Sequence, residues 1–317
     1  MKRTLLSFIV MVCLSLSCLA QQGEGFTPHE LLAGMKPGDK AALLMVHFGT
    51  TYDDTRARTI DAIHARAREA FPSLDVYEAY TSRIIIRKLH QRGVEKHTPL
   101  DVLLQLRGLG YTHVVVQSTH LIEGAEMESL RRDVARVAPF FREVRIGTPL
   151  LYSVEDSEAL VRLLCEHHRV DAASGRKGSD RHFVWVGHGT YTPATALYSQ
   201  VDYMLKALGY DNVHVGTIEG YPTFDTMLAQ LKASKAKRVT LVPLMFVAGD
   251  HAHNDIAVEW KERLEQEGFA VTACMEGLGE LEGVQALFIE HIRFSLQHRP
   301  QDVMSKKQAY ADGKETE

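Results

Sequence analysis

The sequence predicts an α/β protein of two similar lobes, each a mostly parallel sheet flanked by helices. Three observations carry this. Short apolar runs alternate with amphipathic stretches along most of the chain, the pattern of βαβ units. The second half repeats the order of the first, and a polar, aperiodic stretch, Ala172 to Asp180 (AASGRKGSD), lies between them as a linker.

Taken in order, the chain opens with Met1-Lys2-Arg3, an apolar run from Leu5 to Leu16 and the small-residue end Cys18-Leu19-Ala20. That arrangement makes residues 1–20 a cleavable signal peptide, too short for a comfortable membrane span. The mature protein is expected in the periplasm; a lipid anchor on Cys18 is the weaker reading, because Ser15-Leu16-Ser17 makes a poor lipobox. The N-terminal lobe, 21–171, has expected strands at Ala41–Phe48, Leu74–Tyr80, His113–Ser118 and Val144–Ile146. Its expected helices are Asp53–Phe71, Ser82–Gln91, Leu100–Leu109, Glu126–Val137 and Val154–His167. The C-terminal lobe, 181–298, repeats this with strands at Phe183–Val186, Val213–Ile218, Arg238–Val247 and Ala270–Met275. Helices there are expected at Ala194–Leu208, Phe224–Ala233, Asp255–Glu267 and Val284–Gln297, and the charged tail, 299–317, is expected to be flexible.

The halves echo each other in detail. LLMVHFGT at 43–50 corresponds to VWVGHGT at 184–190, each an apolar strand ending in His-(Phe)-Gly-Thr before a helix. VVVQSTHLIEGAE at 114–126 corresponds to LVPLMFVAGDHAHND at 241–255, each a strand leading into a loop of histidine and acid. Ligands of open α/β sheets bind beyond the carboxyl ends of the strands. Two facing lobes therefore bring four loops around one cleft.

Composition narrows the partners. A formal charge of −4, more negative once Lys2 and Arg3 are removed, argues against nucleic acid. Of four cysteines, Cys13 and Cys18 fall in the leader; Cys165 and Cys274 remain, as one bridge or two buried thiols. No later stretch is long and apolar enough to span a bilayer, and oligomeric state stays open.

Four strand ends carry histidine: His47, His120, His188 and His251, and a fifth, TIEGYP, carries Glu219. Neutral imidazoles with a carboxylate make a mixed site for cobalt, iron, nickel or zinc. His188, between Gly187 and Gly189, and His251, in AGDHAHND, favour a functional reading. Glu219, costly if buried alone, favours ligation over a salt bridge. His47 reads equally as a satisfied buried histidine, and His253 as surface. His64, His90, His167, His168, His291 and His298 fall on helical stretches expected to be solvated, and His97 in an exposed turn. Arg83 and Arg87, four apart on one helix, present two guanidiniums for carboxylate recognition or are ordinary surface charge. Arg56, near the first strand end, is a third candidate of that kind, and Tyr52, Tyr80 and Tyr191 follow strand ends.

With LLMVHFGTTYDDTR, VYEAYTSRIIIRKL, VVVQSTHLIEGAE, VWVGHGT, TIEGYP and FVAGDHAHND, the sequence resembles the anaerobic sirohydrochlorin cobaltochelatases, relatives of ferrochelatase among the class II chelatases. The likeness covers almost all of the mature chain. It implies a cleft that holds a tetrapyrrole, with His188, Glu219 and His251 at the metal-binding positions and Glu126 at an acidic position lining the cleft. A polycarboxylate macrocycle asks for cations, which makes Arg83 and Arg87 candidates to hold it, with Tyr52 a candidate to pack on it, and the resemblance implies a divalent metal, cobalt or iron, as substrate and no dissociable organic cofactor. Metallation needs an aquated ion to lose water and two pyrrolic protons to leave, tasks suited to imidazoles that titrate near neutrality. One departure is the leader: the biosynthetic members work in the cytoplasm, so export leaves the pathway open. The rival reading is a periplasmic carrier of metal or tetrapyrrole without turnover, since bilobed binding proteins also close on a ligand. A metal hydrolase is a weaker third, for want of HExxH or a nucleophile elbow.

Overall fold

The computed structural model describes residues 25–170 and 180–312; the expected signal peptide and all of the expected linker except Asp180 lie outside the described residues. After a short strand β1 (Phe26–Pro28), the first lobe is built on β2 (Ala41–His47), β3 (Asp75–Tyr80), β4 (His113–Ser118) and β5 (Glu143–Ile146). They form one parallel sheet in the order β3-β2-β4-β5. β2 is buried at nearly every position, as a central parallel strand covered on both faces must be. Its helices are α1 (Asp53–Arg58), α2 (Ile60–Ala70), α3 (Arg83–His90), α4 (Pro99–Gly108), α5 (Ala125–Val137) and α6 (Val154–His167). The stretch expected as one helix over 53–71 is two, because the Thr59 hydroxyl donates to the Thr55 carbonyl at 2.6 Å and bends the chain there. Thr98 with Asp101, and Ser153 with Asp156, close capping boxes that start α4 and α6.

The second lobe repeats the topology. β6 (Arg181–Gly187), β7 (Val213–Thr217), β8 (Arg238–Leu244) and β9 (Ala270–Ala273) form a parallel sheet in the order β7-β6-β8-β9. Its helices are α7 (Ala196–Ala207), α8 (Phe224–Ser234), a π-helix (Ala252–Trp260) running into α9 (Lys261–Gln266), and α10 (Glu282–Gln297). Cys165 and Cys274 are both free thiols. Among the described residues no helix is long and apolar enough to cross a membrane.

Three expectations need correction. The C-terminal lobe does not keep its own last helix: α10 returns to the first lobe and packs against α2, α6, β4 and β5. Buried Arg145 fixes it there, its Nη1 lying 2.9 Å from the Ser295 carbonyl and 2.8 Å from that of Leu296, groups that the end of a helix leaves unpaired. His291, expected on a solvated face, is buried, its Nδ1 2.7 Å from the Thr148 hydroxyl and its Nε2 3.3 Å from Asp156. The tail, expected to be flexible, carries regular structure over 299–312. β10 (His298–Pro300) pairs antiparallel with β1, and α11 (Val303–Ala311) follows because the Asp302 carboxylate accepts from the Ser305 amide at 3.0 Å.

Candidate active site

The carboxyl edges of both sheets open on one cavity of about 460 Å³. His47, His120, His188, Glu219 and His251 all line it, as does Glu126. His188 follows β6 and His251 immediately precedes the π-helix; their rings meet edge to face with centroids 4.6 Å apart. His188 Nδ1 donates to the Gly189 carbonyl at 3.1 Å, and His251 Nδ1 to Asp255 Oδ2 at 2.6 Å. Each bond fixes the tautomer whose Nε2 keeps its lone pair, the support that ligating histidines commonly have. The π-helix begins one residue after His251 and keeps Asp255 in contact with it, π turns being frequent at functional sites.

Glu219 is set by backbone rather than side-chain contacts. Its amide donates to the His188 carbonyl at 2.8 Å. Gly189, at φ +82°, lies so close that a Cβ there would sit 1.5 Å from the Glu219 carbonyl oxygen, so only glycine fits. The Glu219 side chain is exposed. It does not complete a set of three ligand atoms within 4.8 Å of one another with the two imidazoles; among the described residues the set that meets this condition is His47, His64 and Glu78. The arrangement around His188 and His251 is therefore open, with the carboxylate standing off.

The other expected cleft residues divide. Glu126 lines the cavity, but Arg83, Arg87 and Tyr52 do not. Ser82 caps α3, its Oγ accepting from the Ile85 amide at 3.4 Å, and the rotation this sets turns Ile84 and Ile85 to the cavity and leaves both arginines exposed. Tyr52 stacks on His253 instead, with ring centroids 4.6 Å apart. Arg56 is held by Asp53 at 3.0 Å and by Asp61 at 3.5 Å and does not line the cavity either. Tyr80 is buried beneath Gly49, whereas Tyr191 lines the cavity with 86% of its surface exposed.

Sequence reasoning underweighted two features. Both ring nitrogens of His120 are buried without a hydrogen-bond partner in the cavity wall, and burial lowers its pKa against the pull of Glu126 and Glu123. Phe48 and Ile84 line the cavity although they are exposed, an apolar wall that no charged motif announces. His64 was expected to be solvated and is buried; Ile60, Ile63, His64 and Ala67 share the inward stripe of α2, a spacing visible in IDAIHARAREA. His47 Nε2 lies 2.9 Å from His64 Nε2. Burial, first, and the nearby Arg68 and Lys96 cations pull His64 down to about 4.

Comparison with known proteins follows the same lines. The family model described as Cobalt chelatase (CbiK) matches residues 41–297. A sirohydrochlorin cobaltochelatase of Salmonella typhimurium is 38% identical over 262 residues, covering 81% of this chain and 97% of that protein. The sirohydrochlorin cobaltochelatase CbiKC of Nitratidesulfovibrio vulgaris is 34% identical over 262 residues, covering 81% of this chain and 90% of that protein. Among solved structures, SirB from Bacillus subtilis with Fe3+ superposes with a TM-score of 0.56 at 16% identity, over 85% of this chain and 98% of that one, a likeness of fold. With a family match spanning both sheets and relatives at this identity over nearly their whole length, the chain belongs to the cobalt chelatase (CbiK) family.

Proposed function

We propose that the protein is a metal chelatase that inserts a divalent cation, cobalt or ferrous iron, into sirohydrochlorin or a closely related tetrapyrrole held in the cleft between its lobes. The observation that carries this is the pair His188 and His251, edge to face in the cavity wall with both Nδ1 atoms committed to acceptors and both Nε2 lone pairs left over. Two imidazoles displace water from an incoming first-row ion without a closed cage, so the ion can still leave for the macrocycle. Glu219, on the wall of the same cavity, offsets cationic charge as the ion arrives. Either imidazole accepts a pyrrolic proton as metal–nitrogen bonds form. The apolar surfaces of Phe48, Ile84 and Tyr191 suit the face of a flat macrocycle. Two relatives that are 34% and 38% identical carry sirohydrochlorin cobaltochelatase as their name, which supports this substrate.

The test is direct. Purified protein is mixed with sirohydrochlorin and, separately, Co2+ or Fe2+, and metallation is followed by absorbance. The chelatase reading expects insertion well above the protein-free rate. A carrier binds one or both components with no acceleration, and that result replaces the enzyme with the carrier. The leader, read as an export signal, adds that the reaction is periplasmic; cell fractionation that finds the full-length chain in the cytoplasm removes that part alone.

A further inference from the structure

The chelatase reading leaves one cluster of ligating side chains unused. His47 ends β2, His64 lies on the inward stripe of α2 and Glu78 sits on β3. Glu78 is opposite Met45 in the sheet register, and Met45 and His47 are two apart on β2, so all three groups belong to the sheet face that α2 covers. Their ligand atoms all lie within 4.8 Å of one another: His47 Nε2 is 2.9 Å from His64 Nε2, which is 3.8 Å from Glu78 Oε2. A metal bound at roughly 2.0–2.1 Å from each imidazole nitrogen holds two neighbouring ligand atoms about 3 Å apart, which is the spacing found here.

The surroundings orient the ligands. His47 Nδ1 is 2.9 Å from the Thr119 hydroxyl, which lies 3.5 Å from the Val46 carbonyl and donates to it. The hydroxyl therefore accepts from His47 Nδ1, and His47 Nε2 keeps its lone pair toward His64 and Glu78. Lys96 occupies Glu78 Oε1 and leaves Oε2 facing the imidazoles. The second lobe supplies a control. There His182 and His214 also lie 2.9 Å apart, and His214 Nδ1 is likewise held, by the Gln230 side chain, but among the described residues no carboxylate completes a ligand set with them. The cluster adjoins the cleft, because His47, though buried, is itself part of the cavity wall.

We propose that His47, His64 and Glu78 form a second metal site, distinct from His188 and His251, that binds a first-row divalent cation such as Co2+ or Zn2+ and communicates with the cleft through His47. Two nitrogens and one carboxylate oxygen match the preferences of these ions. The proposal does not rest on chelatase activity and stands if the cleft only carries its ligand.

The full chain, without tetrapyrrole, is titrated with Co2+ by calorimetry, and the visible cobalt absorption is recorded in parallel. A His188→Ala/His251→Ala variant is expected to retain one equivalent, and adding His64→Ala is expected to abolish it. Glu78→Gln and Thr119→Val, which keep size and shape, are expected to weaken that equivalent by about ten- to a hundredfold, the range for lost support around a ligand. Circular dichroism checks each fold; if His64→Ala does not fold, Glu78→Gln and Thr119→Val decide. The site is refuted if the double variant binds no Co2+, or if it binds one equivalent that none of the three substitutions alters. Failure of the chelatase reading is seen separately, as absent turnover with intact Co2+ stoichiometry.

Discussion

The two lobes share a backbone plan and divide the chemistry. In each, the strand that opens the sheet's switch point is followed by a positive-φ glycine, Gly49 in the first and Gly189 in the second. In each, the chain leaving the neighbouring edge strand bonds back to that strand's end: Thr81 to the His47 carbonyl at 2.8 Å, Ile218 to the Gly187 carbonyl at 3.0 Å. The next residues bond in the same way, Ser82 to Phe48 at 3.3 Å and Glu219 to His188 at 2.8 Å. Position for position, the second lobe's His188 and Glu219 are Phe48 and Ser82 in the first. At these matched positions the shared backbone geometry presents an imidazole and a carboxylate from the second lobe where the first presents an aromatic ring and a small hydroxyl.

The largest test of that division is substitution at equivalent positions. His188→Ala and His251→Ala are each expected to lower metal insertion on the order of a hundredfold or more, the usual loss with a proton-transferring group, with the fold intact. Phe48→Ala, the first-lobe counterpart, is expected to raise KM several-fold with little change in kcat, read from the same absorbance assay. Equal losses in kcat at Phe48 and His188 break the comparison.

The next test concerns stability, where the lobes also differ. The first lobe takes α10 from the other half of the chain, and Arg145 is one of the groups that bond its last carbonyls. Arg145→Ala removes the guanidinium from the buried Ser295 carbonyl, while the Leu296 carbonyl still accepts from the Leu31 amide at 2.9 Å, and strips Glu143 of a partner 2.7 Å away. A loss of about 3 kcal/mol in urea unfolding is expected. A loss below about 1 kcal/mol shows that α10 does not depend on this guanidinium.

Most of the two-sheet architecture was legible because parallel strands such as AALLMVH and HVVVQS are buried on both faces and read as continuous apolar runs. The position of His188 and Glu219 just beyond strand ends, and of His251 in the loop that follows β8, was legible for the same reason. What was not legible turned on rotation and register. The likeness of LLMVHFGT to VWVGHGT invites pairing His47 with His188, but the sheets place His47 opposite Tyr80 and Gly187 opposite Thr217, each at its strand's last residue, so His47 matches Gly187. A one-residue offset moves a side chain to the other face of a sheet, and that offset separates the cluster at His47 from the pair at His188. Arg83 and Arg87 turned on rotation as well: four-residue spacing puts them on one face of α3 but does not say which, and with the Ser82 cap both are exposed, as the surface-charge reading has them. The return of α10 to the first lobe has no local signal, because its amphipathic pattern fits either sheet.

Acid stability sharpens the comparison further. In the second lobe, burial, first, with the nearby Lys206 cation, pulls His214 down to about 3. Its ordinary value is near 6.5, so between the two values the unfolded chain binds the proton and the folded chain does not. Stability is therefore complete above about 6.5 and falls as pH drops toward about 3, by on the order of 1.4 kcal/mol per pH unit within that window. His214→Gln is expected to flatten part of this slope in chemical denaturation across the range. An unchanged slope assigns acid sensitivity to other groups.

The smallest expected effect lies at the rim, where the lobes face each other through Lys88 on α3 and Asp250 before the π-helix, 3.4 Å apart. Their side chains are 52% and 46% exposed, so water and salt screen the pair and side-chain entropy opposes it. Lys88→Ala is expected to cost at most about 1 kcal/mol, a shift of a few degrees at most in Tm, and that shift is expected to vanish in high salt. If the loss is larger and persists in salt, the rim pair contributes to joining the lobes. If it is as small as expected, the join belongs to α10 and the core beneath it, and the cleft edges stay free to admit a macrocycle.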